Sequence, residues 1–472
     1  MEPRAERDSQ KEAEAGRRKS ESGRRRIPPW VCAVACLLTP VSLFSQNWPS
    51  FRGERALGVD SGAKTPSSWD VETGRNVAWK VAIPGLAHSS PIVWGDRIYL
   101  TTAISSDPNT VLQFPLKGEL DERTDVSKHQ FRLMAIEKSS GTIIWDKLAY
   151  EGAPRVARHP HNSYAAATPA TDGKHIVAFF GSEGLYGFDM NGKQLWKQDV
   201  GVLDQAAFDV PDYKWGYASS PVIYKNLAIV QCDQIKGSFM AAFDVDSGKQ
   251  VWRAERPDAI PSWATPGIYE GTTGAELIAN GAEYIRGYDP MTGKELWTLR
   301  GTSMISVPTP FAAGGLIYVF TGYWRWIQPI YAIRPGSRGD ITPPKEASST
   351  ANLAWTTQKG APYLNTPLVD GDFLYVMGNN GVLTVYRAKT GERIYQQRLG
   401  NGGYFTASPI VAGEKIYFTS EDGDVFVVKT GATYELLAEN HMGGVSMATP
   451  AITGDTLLYR TQHHLIALRE SK

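Results

Sequence analysis

Short apolar runs separated by Gly-centred turns fill the chain from Val77 to Leu468. Ile98-Tyr-Leu-Thr101, Phe373-Leu-Tyr-Val-Met377 and Ile416-Tyr-Phe-Thr419 are rich in β-branched and aromatic residues, and each follows a turn at Gly95, Gly371 or Gly413. Such runs read as strands. A second phrase joins a turn to a strand. It stands as Asp244-Val-Asp-Ser-Gly248-Lys-Gln-Val-Trp252, Asp189-Met-Asn-Gly192-Lys-Gln-Leu-Trp196 and Asp289-Pro-Met-Thr-Gly293-Lys-Glu-Leu-Trp297. Glu137-Lys-Ser-Ser-Gly141-Thr-Ile-Ile-Trp145 and the weaker Ala388-Lys-Thr-Gly391-Glu-Arg-Ile-Tyr395 repeat it. The glycine allows the positive φ of a tight turn, and the flanking Asp, Asn, Ser and Thr bond the turn backbone. Strand alternation then brings the aromatic to the same face each time.

A third phrase, small residue then Ser/Thr-Pro, opens each unit. It ends at Pro91, Pro169, Pro221, Pro266, Pro310, Pro367, Pro409 and Pro450. Proline is confined to the start or edge of a strand, so each phrase marks a new innermost strand. Most spacings fall at 41–52 residues. That period, with four strands per unit, predicts propeller blades. The two longer gaps hold insertions near Ser105–Gln130 and Arg334–Thr350, both read as surface loops.

The fold expected is all-β: an eight-bladed propeller of four-stranded antiparallel blades, or seven blades if one landmark is spurious. The last unit ends after a third strand at Leu465–Leu468, while an orphan strand stands at Val77-Ala-Trp79-Lys-Val81. Pairing them closes the ring and removes the open edge. Trp79, Trp145, Trp196, Trp252 and Trp297, with Gly141, Gly192, Gly248, Gly293 and Gly391, are therefore read as repeat core between neighbouring sheets.

Lys+Arg and Asp+Glu number 49 each, which gives no field to draw nucleic acid. Of three cysteines, Cys32 and Cys36 fall in the leader and only Cys232 in the folded part, so neither a disulfide framework nor a Cys/His metal spacing exists. Residues 1–26 form a charged extension and 27–45 an uncharged run, with residues 46–76 a lead-in and 77–472 a single propeller. A basic segment, an apolar run and small polar residues describe a signal peptide cut after Ser45; an uncleaved inner-membrane anchor is the alternative. A periplasmic or secreted protein follows, touching membrane only through an uncut leader. A monomer is expected.

The Gly-Lys-x-x-Trp repeat resembles that of the pyrroloquinoline quinone (PQQ) type β-propellers over residues 70–470. Asn47-Trp-Pro-Ser-Phe-Arg-Gly53 resembles the start of the secreted bacterial PQQ-like proteins, and Phe180–Gly187 and Thr419–Asp424 are similar to that group too. The resemblance implies one of two branches. One comprises quinone-dependent alcohol and glucose dehydrogenases, with a vicinal disulfide, a Ca²⁺ ion and an Asp base. The other is non-catalytic and includes BamB, a lipoprotein of the outer-membrane assembly machinery. This chain has no Cys-Cys pair and no acidic residue in its Ser/Thr-Pro phrases, so no catalytic residue is assigned. No cofactor is expected; PQQ with Ca²⁺ belongs to the enzymatic alternative.

Side chains just before the innermost strands are expected at the channel mouth: His88, Tyr164, Tyr217, Trp263, Tyr363, Asn365 and Tyr404. They suit a small polar ligand or a peptide, or simply plug the channel. Arg155, Arg158, His159 and His161 form a loop able to receive an anion, with the histidines too few for a metal site. Tyr323-Trp324-Arg325-Trp326-Ile327 is read as either an exposed interface anchor or a buried strand. The functional expectation is an exported, non-enzymatic binding scaffold with an envelope-protein partner or a small polar ligand. An oxidoreductase and an envelope assembly factor are the alternatives.

Overall fold

The computed structural model describes residues 47–112, 127–207, 210–323 and 327–471. The leader, including residues 27–45, and Trp324–Trp326 lie outside the described residues. Eight four-stranded antiparallel blades stand in a ring. Blade 1 is Ile92–Trp94, Arg97–Ser105, His129–Glu137 and Ile143–Gly152. Blade 2 is Ala170–Thr171, His175–Phe179, Leu185–Asp189 and Gln194–Gln198, and blade 3 is Val222–Tyr224, Leu227–Cys232, Phe239–Asp244 and Gln250–Glu255. Blade 4 is Gly267–Gly271, Gly274–Ala279, Tyr284–Tyr288 and Glu295–Arg300, and blade 5 is Phe311–Ala313, Leu316–Phe320, Ile330–Ile333 and Leu353–Thr357. Blade 6 is Leu368–Asp370, Phe373–Met377, Val382–Arg387 and Arg393–Arg398, and blade 7 is Ile410–Ala412, Lys415–Thr419, Asp424–Lys429 and Leu436–His441. Blade 8 joins Ala451–Thr453, Thr456–Arg460 and His464–Leu468 to Val77–Ala82, which pairs Trp79 with Ala467 and Val81 with Leu465. The orphan strand thus closes the ring as expected.

The core lies in the seams between blades. Fully buried Tyr99, Tyr318, Tyr375 and Tyr417 sit at matching places on second strands, each opposite the first residue of the innermost strand. The tryptophans dock across seams in one register. The indole N–H of Trp79 donates to Lys138 O (3.0 Å), that of Trp196 to Val245 O (2.7 Å) and that of Trp252 to Pro290 O (3.0 Å). Each acceptor precedes the turn glycine of the next blade by three residues. The glycine itself meets the ring face: a Cβ on Gly248 would come within 2.7 Å of Trp196, and one on Gly141 within 2.6 Å of Trp79. Blade 5 keeps the same dock without the phrase, through Trp355, whose N–H reaches Ala388 O at 2.7 Å above Gly391. Trp297 departs from the register and donates instead to Glu276 on its own blade, at 2.6 Å.

The Ser/Thr before each proline forms a belt around the channel. The backbone N–H of Ser90 donates to the Thr168 hydroxyl, Thr168 to Ser220 and Ser220 to Thr265, each at 2.9 Å. Thr309 donates to Thr366 and Thr366 to Ser408, both at 2.9 Å, and Ser408 donates to Thr449 at 3.0 Å. Two seams are bridged differently. Between blades 4 and 5, Asn280 Nδ2 donates to Pro308 O (2.8 Å) and Phe320 O (2.9 Å). Between blades 8 and 1, the buried Arg460 guanidinium donates to Ser89 O (3.0 Å), Ser89 Oγ (2.6 Å) and Thr101 O (2.8 Å).

The lead-in runs beneath this ring. Trp48 exchanges two 2.8 Å backbone bonds with Val93 of blade 1, Pro49 O accepts from Thr171 N of blade 2, and Val59–Asp60 pairs in parallel with Val411–Ala412 of blade 7. Arg52 is fully buried and donates only to carbonyls, reaching Thr366 O (2.5 Å), Pro367 O (2.9 Å) and Pro409 O (3.3 Å) of blades 6 and 7. Burial without a carboxylate partner pulls its pKa down to about 9.

One loop expectation needs correction. The Arg334–Thr350 stretch is not only surface loop: Gly339–Asp340 pairs in parallel with Trp297–Thr298 as a fifth strand on blade 4, and Ile341 is buried there.

Two outcomes follow. Thr366→Val removes the acceptor for Thr309 N and is expected to cost about 1–3 kcal/mol in chemical denaturation, while Thr366→Ser stays near wild type; equal losses would remove the belt's role. Gly248→Ala and Gly371→Ala impose the same positive φ (72° and 55°), but a Cβ at Gly371 meets nothing within 4 Å. Gly371→Ala is expected to cost about 1–2 kcal/mol from backbone strain alone, and Gly248→Ala clearly more, read as a lower unfolding midpoint.

Candidate functional site

The residue three before each landmark proline points into the channel. His88, Ala166, Ala218 and Trp263 do so from blades 1 to 4, and Val307, Leu364, Thr406 and Met447 from blades 5 to 8. Together with His161, Asn162, Trp215, Ile305 and Tyr363 they enclose a cavity of about 190 Å³ at the mouth. The lead-in bonds to the inner strands of blades 1, 2 and 7.

Of the expected mouth residues, His88, Trp263 and Tyr363 line the cavity. The others face elsewhere. Tyr217 is buried in the seam, edge-on to Phe179 at 4.6 Å, with its hydroxyl donating to Gln231 O at 2.9 Å. Asn365 is fully buried and donates to Met377 O and Phe405 O, each at 2.9 Å. Tyr164 packs against Phe131 and His129. Tyr404 is 61% exposed and stands outside the cavity lining.

The Arg/His loop is folded into the site instead of lying in solvent. Arg158 and His159 are 3% and 0% exposed. Arg158 donates to the carbonyls of His159 (3.2 Å), Pro160 (3.3 Å) and Asn162 (2.8 Å), so it shapes its own loop. Arg155 donates to Ser182 O (2.7 Å) and to Asp199 Oδ1 (2.9 Å). Neither guanidinium is directed at an incoming anion. His159 stacks on Trp215 (centroids 4.2 Å, 13° between planes) and bonds Tyr213 Oη at 2.6 Å. Burial, with Arg158 and His161 nearby, lowers its pKa to about 3, so the ring is neutral. His88 is held neutral in the same way, also at about 3, chiefly by burial; its Nε2 sits 2.9 Å from His161 O.

Two contributors, Trp215 and Glu421, had no clear announcement in the sequence. A hairpin of Ala206–Ala207 and Val210–Lys214 between blades 2 and 3 leads to Trp215, which meets Trp263 edge-on at 6.3 Å. The alternating Tyr213-Lys-Trp215 just before the blade 3 phrase was the available sign. Tyr323 adds a ring 5.3 Å from Tyr363. Opposite this aromatic half, Glu421 rises from the turn between the second and third strands of blade 7. Its Oε2 lies 3.2 Å from His161 Nε2, and its Oε1 accepts the Thr406 hydroxyl. Glu421 is 7% exposed. Among the described residues, no group of three or more His, Cys, Asp or Glu is placed to hold a metal ion. Cys232 is buried, and burial pushes its thiol far above the usual range, which leaves it unreactive.

Comparison with known proteins matches this architecture. The Comamonas testosteroni quinohemoprotein alcohol dehydrogenase superposes with a TM-score of 0.60 at 11% identity, covering 90% of this chain and 81% of that one. BamB from Moraxella catarrhalis gives 0.51 at 15% identity, covering 78% of this chain and 97% of that one. These likenesses carry the fold alone. In sequence, the tetrathionate hydrolase of Acidithiobacillus ferrooxidans is 24% identical over 352 residues, 70% of this chain. The aligned part spans 62% of that enzyme, less than two thirds of its length. The family model described as Outer membrane protein assembly factor BamB matches residues 41–207, 129–342 and 236–472. The matches run through the whole propeller, and the chain belongs to this PQQ-like family.

Proposed function

We propose that the protein is an exported, non-enzymatic binding scaffold of the cell envelope whose mouth cavity seats one side chain of a partner protein. The single observation that carries this reading is the size and character of the mouth cavity. At about 190 Å³ it lies below the roughly 300–1,000 Å³ of sites that enclose a cofactor-sized ligand. It matches a single side chain, and aromatic and aliphatic groups dominate its wall, as at the buried centre of a protein interface.

An enzymatic reading is favoured by the likeness in sequence to the tetrathionate hydrolase, but the residues present fit the parts of a quinone enzyme poorly. A Ca²⁺ ion takes six to eight oxygen ligands. The mouth offers one carboxylate, already bonded to Thr406 and beside His161. The residues at the mouth therefore do not fit a Ca²⁺–quinone pair, and no step is derived through one.

The test follows intrinsic Trp fluorescence, since Trp215 and Trp263 line the cavity. At least one N-acetyl amino-acid amide from a panel is expected to give a saturable change at millimolar concentration, lost in Ala166→Trp, which fills the cavity. PQQ with Ca²⁺ is expected to give none at micromolar concentration. Failure of every amide to saturate, or Ca²⁺-dependent saturable quenching by PQQ, would overturn the proposal.

A further inference from the structure

We infer that the side chain seated at the mouth is cationic, an arginine or lysine on an extended segment of a partner protein. This rests on the proposed function above and adds the chemistry of the ligand.

The mouth has two unlike halves. Trp215, Trp263 and Tyr363 give one half aromatic faces. The other half places His161 and Thr406 at the cavity surface with Glu421 recessed between them. A carboxylate presents about four acceptor positions. The Thr406 hydroxyl donates to Oε1 of Glu421, and the His161 ring nitrogen stands 3.2 Å from Oε2. Its backbone is fixed as well, with N bonded to Tyr404 O (2.8 Å) and O to Ser446 N (3.0 Å). A carboxylate this buried, with half its acceptor capacity open, stabilises an incoming N–H donor, and most of all a charged one.

The sign of the charge is decided by what an anion would find. Arg158, the nearest cation, turns its guanidinium to backbone carbonyls. His88 and His159 are held neutral. Arg460 is sealed below the mouth against Ser89 and Thr101. Among the described residues that line the cavity there is no Arg or Lys, whereas the Glu421 carboxylate stands directly behind the lining groups His161 and Thr406. The aromatic half suits the same ligand, because a guanidinium or ammonium is drawn to ring faces and its aliphatic stem packs on them. A side chain is favoured over a free amine by the rim. Tyr404, 61% exposed beside the Glu421 turn, leaves a ring for the main chain that flanks the seated residue.

The test uses the full-length mature protein and Trp fluorescence or calorimetry. N-acetylarginine methylamide is expected to bind about tenfold tighter than the isosteric citrulline amide, about 1.4 kcal/mol. Glu421→Gln is expected to erase that preference while leaving the citrulline amide unchanged. A pentapeptide with a central arginine flanked by glycines is expected to bind more tightly than the single amide. Equal binding of arginine and citrulline amides would overturn the inference while leaving the scaffold reading standing. Equal binding of pentapeptide and amide would replace the protein partner with a free small cation, and so would also overturn it. Loss of binding by all amides falls on the scaffold reading itself. Should the Gln variant fail to fold, the arginine-over-citrulline preference of the wild type decides alone.

Discussion

The ring depends on a hydrogen bond that only a hydroxyl residue before a proline can supply. Proline begins each innermost strand and carries no N–H of its own. The residue before it does, and that group lies buried at the channel wall. A buried N–H without an acceptor costs about 1–3 kcal/mol. The hydroxyl of the same residue in the next blade removes that cost at six seams, with donor distances of 2.9–3.0 Å. Thr168, Ser220, Thr366 and Ser408 are each acceptor to one neighbour and donor to the other. Blades linked in this way share a fixed radius, and the strand before each proline is aimed at the axis.

The exceptions follow the same logic. At the seam of blades 8 and 1 the two ends of the propeller meet, and Ser90 Oγ has no partner there. Arg460 takes over with three short bonds to blade 1. Beneath, Arg52 fastens the lead-in to blades 6 and 7 entirely through carbonyls. Both guanidiniums are pulled down to about 9 by burial, because neither has a carboxylate to offset desolvation. They act as fixed multivalent donors where the repeat itself provides none.

This division explains what could be read from sequence. The turn glycines and tryptophans were legible because both partners of the turn lie within nine residues, and the prolines gave the count of eight. The belt was not legible, since its donor and acceptor stand on different blades. The mouth was half legible for a geometric reason. The residue three before proline points into the channel at every blade, whereas the one four before it enters the cavity as Tyr363 but turns into the seam as Tyr217. His88 and Trp263 occupy the first position; Tyr217 occupies the second and is buried. Trp215 and Glu421 come from a hairpin and a turn outside the phrase, so no spacing rule reaches them.

Eight equivalent positions around an axis would give a mouth of one character. This mouth is polar on one side and aromatic on the other because three excursions break the repeat. The Arg158–Asn162 loop brings His161, the hairpin between blades 2 and 3 brings Trp215, and the blade 7 turn brings Glu421. Each excursion is locked by its own bonds: Asn162 Nδ2 holds Trp215 O at 2.7 Å, and Glu421 N holds Tyr404 O at 2.8 Å. A rigid frame lets such additions be aimed without strain in the sheets. The lead-in is fastened to the inner strands of blades 1, 2 and 7. A two-sided cavity of one side chain's size selects by charge and shape at a single point, which suits recognition of a partner.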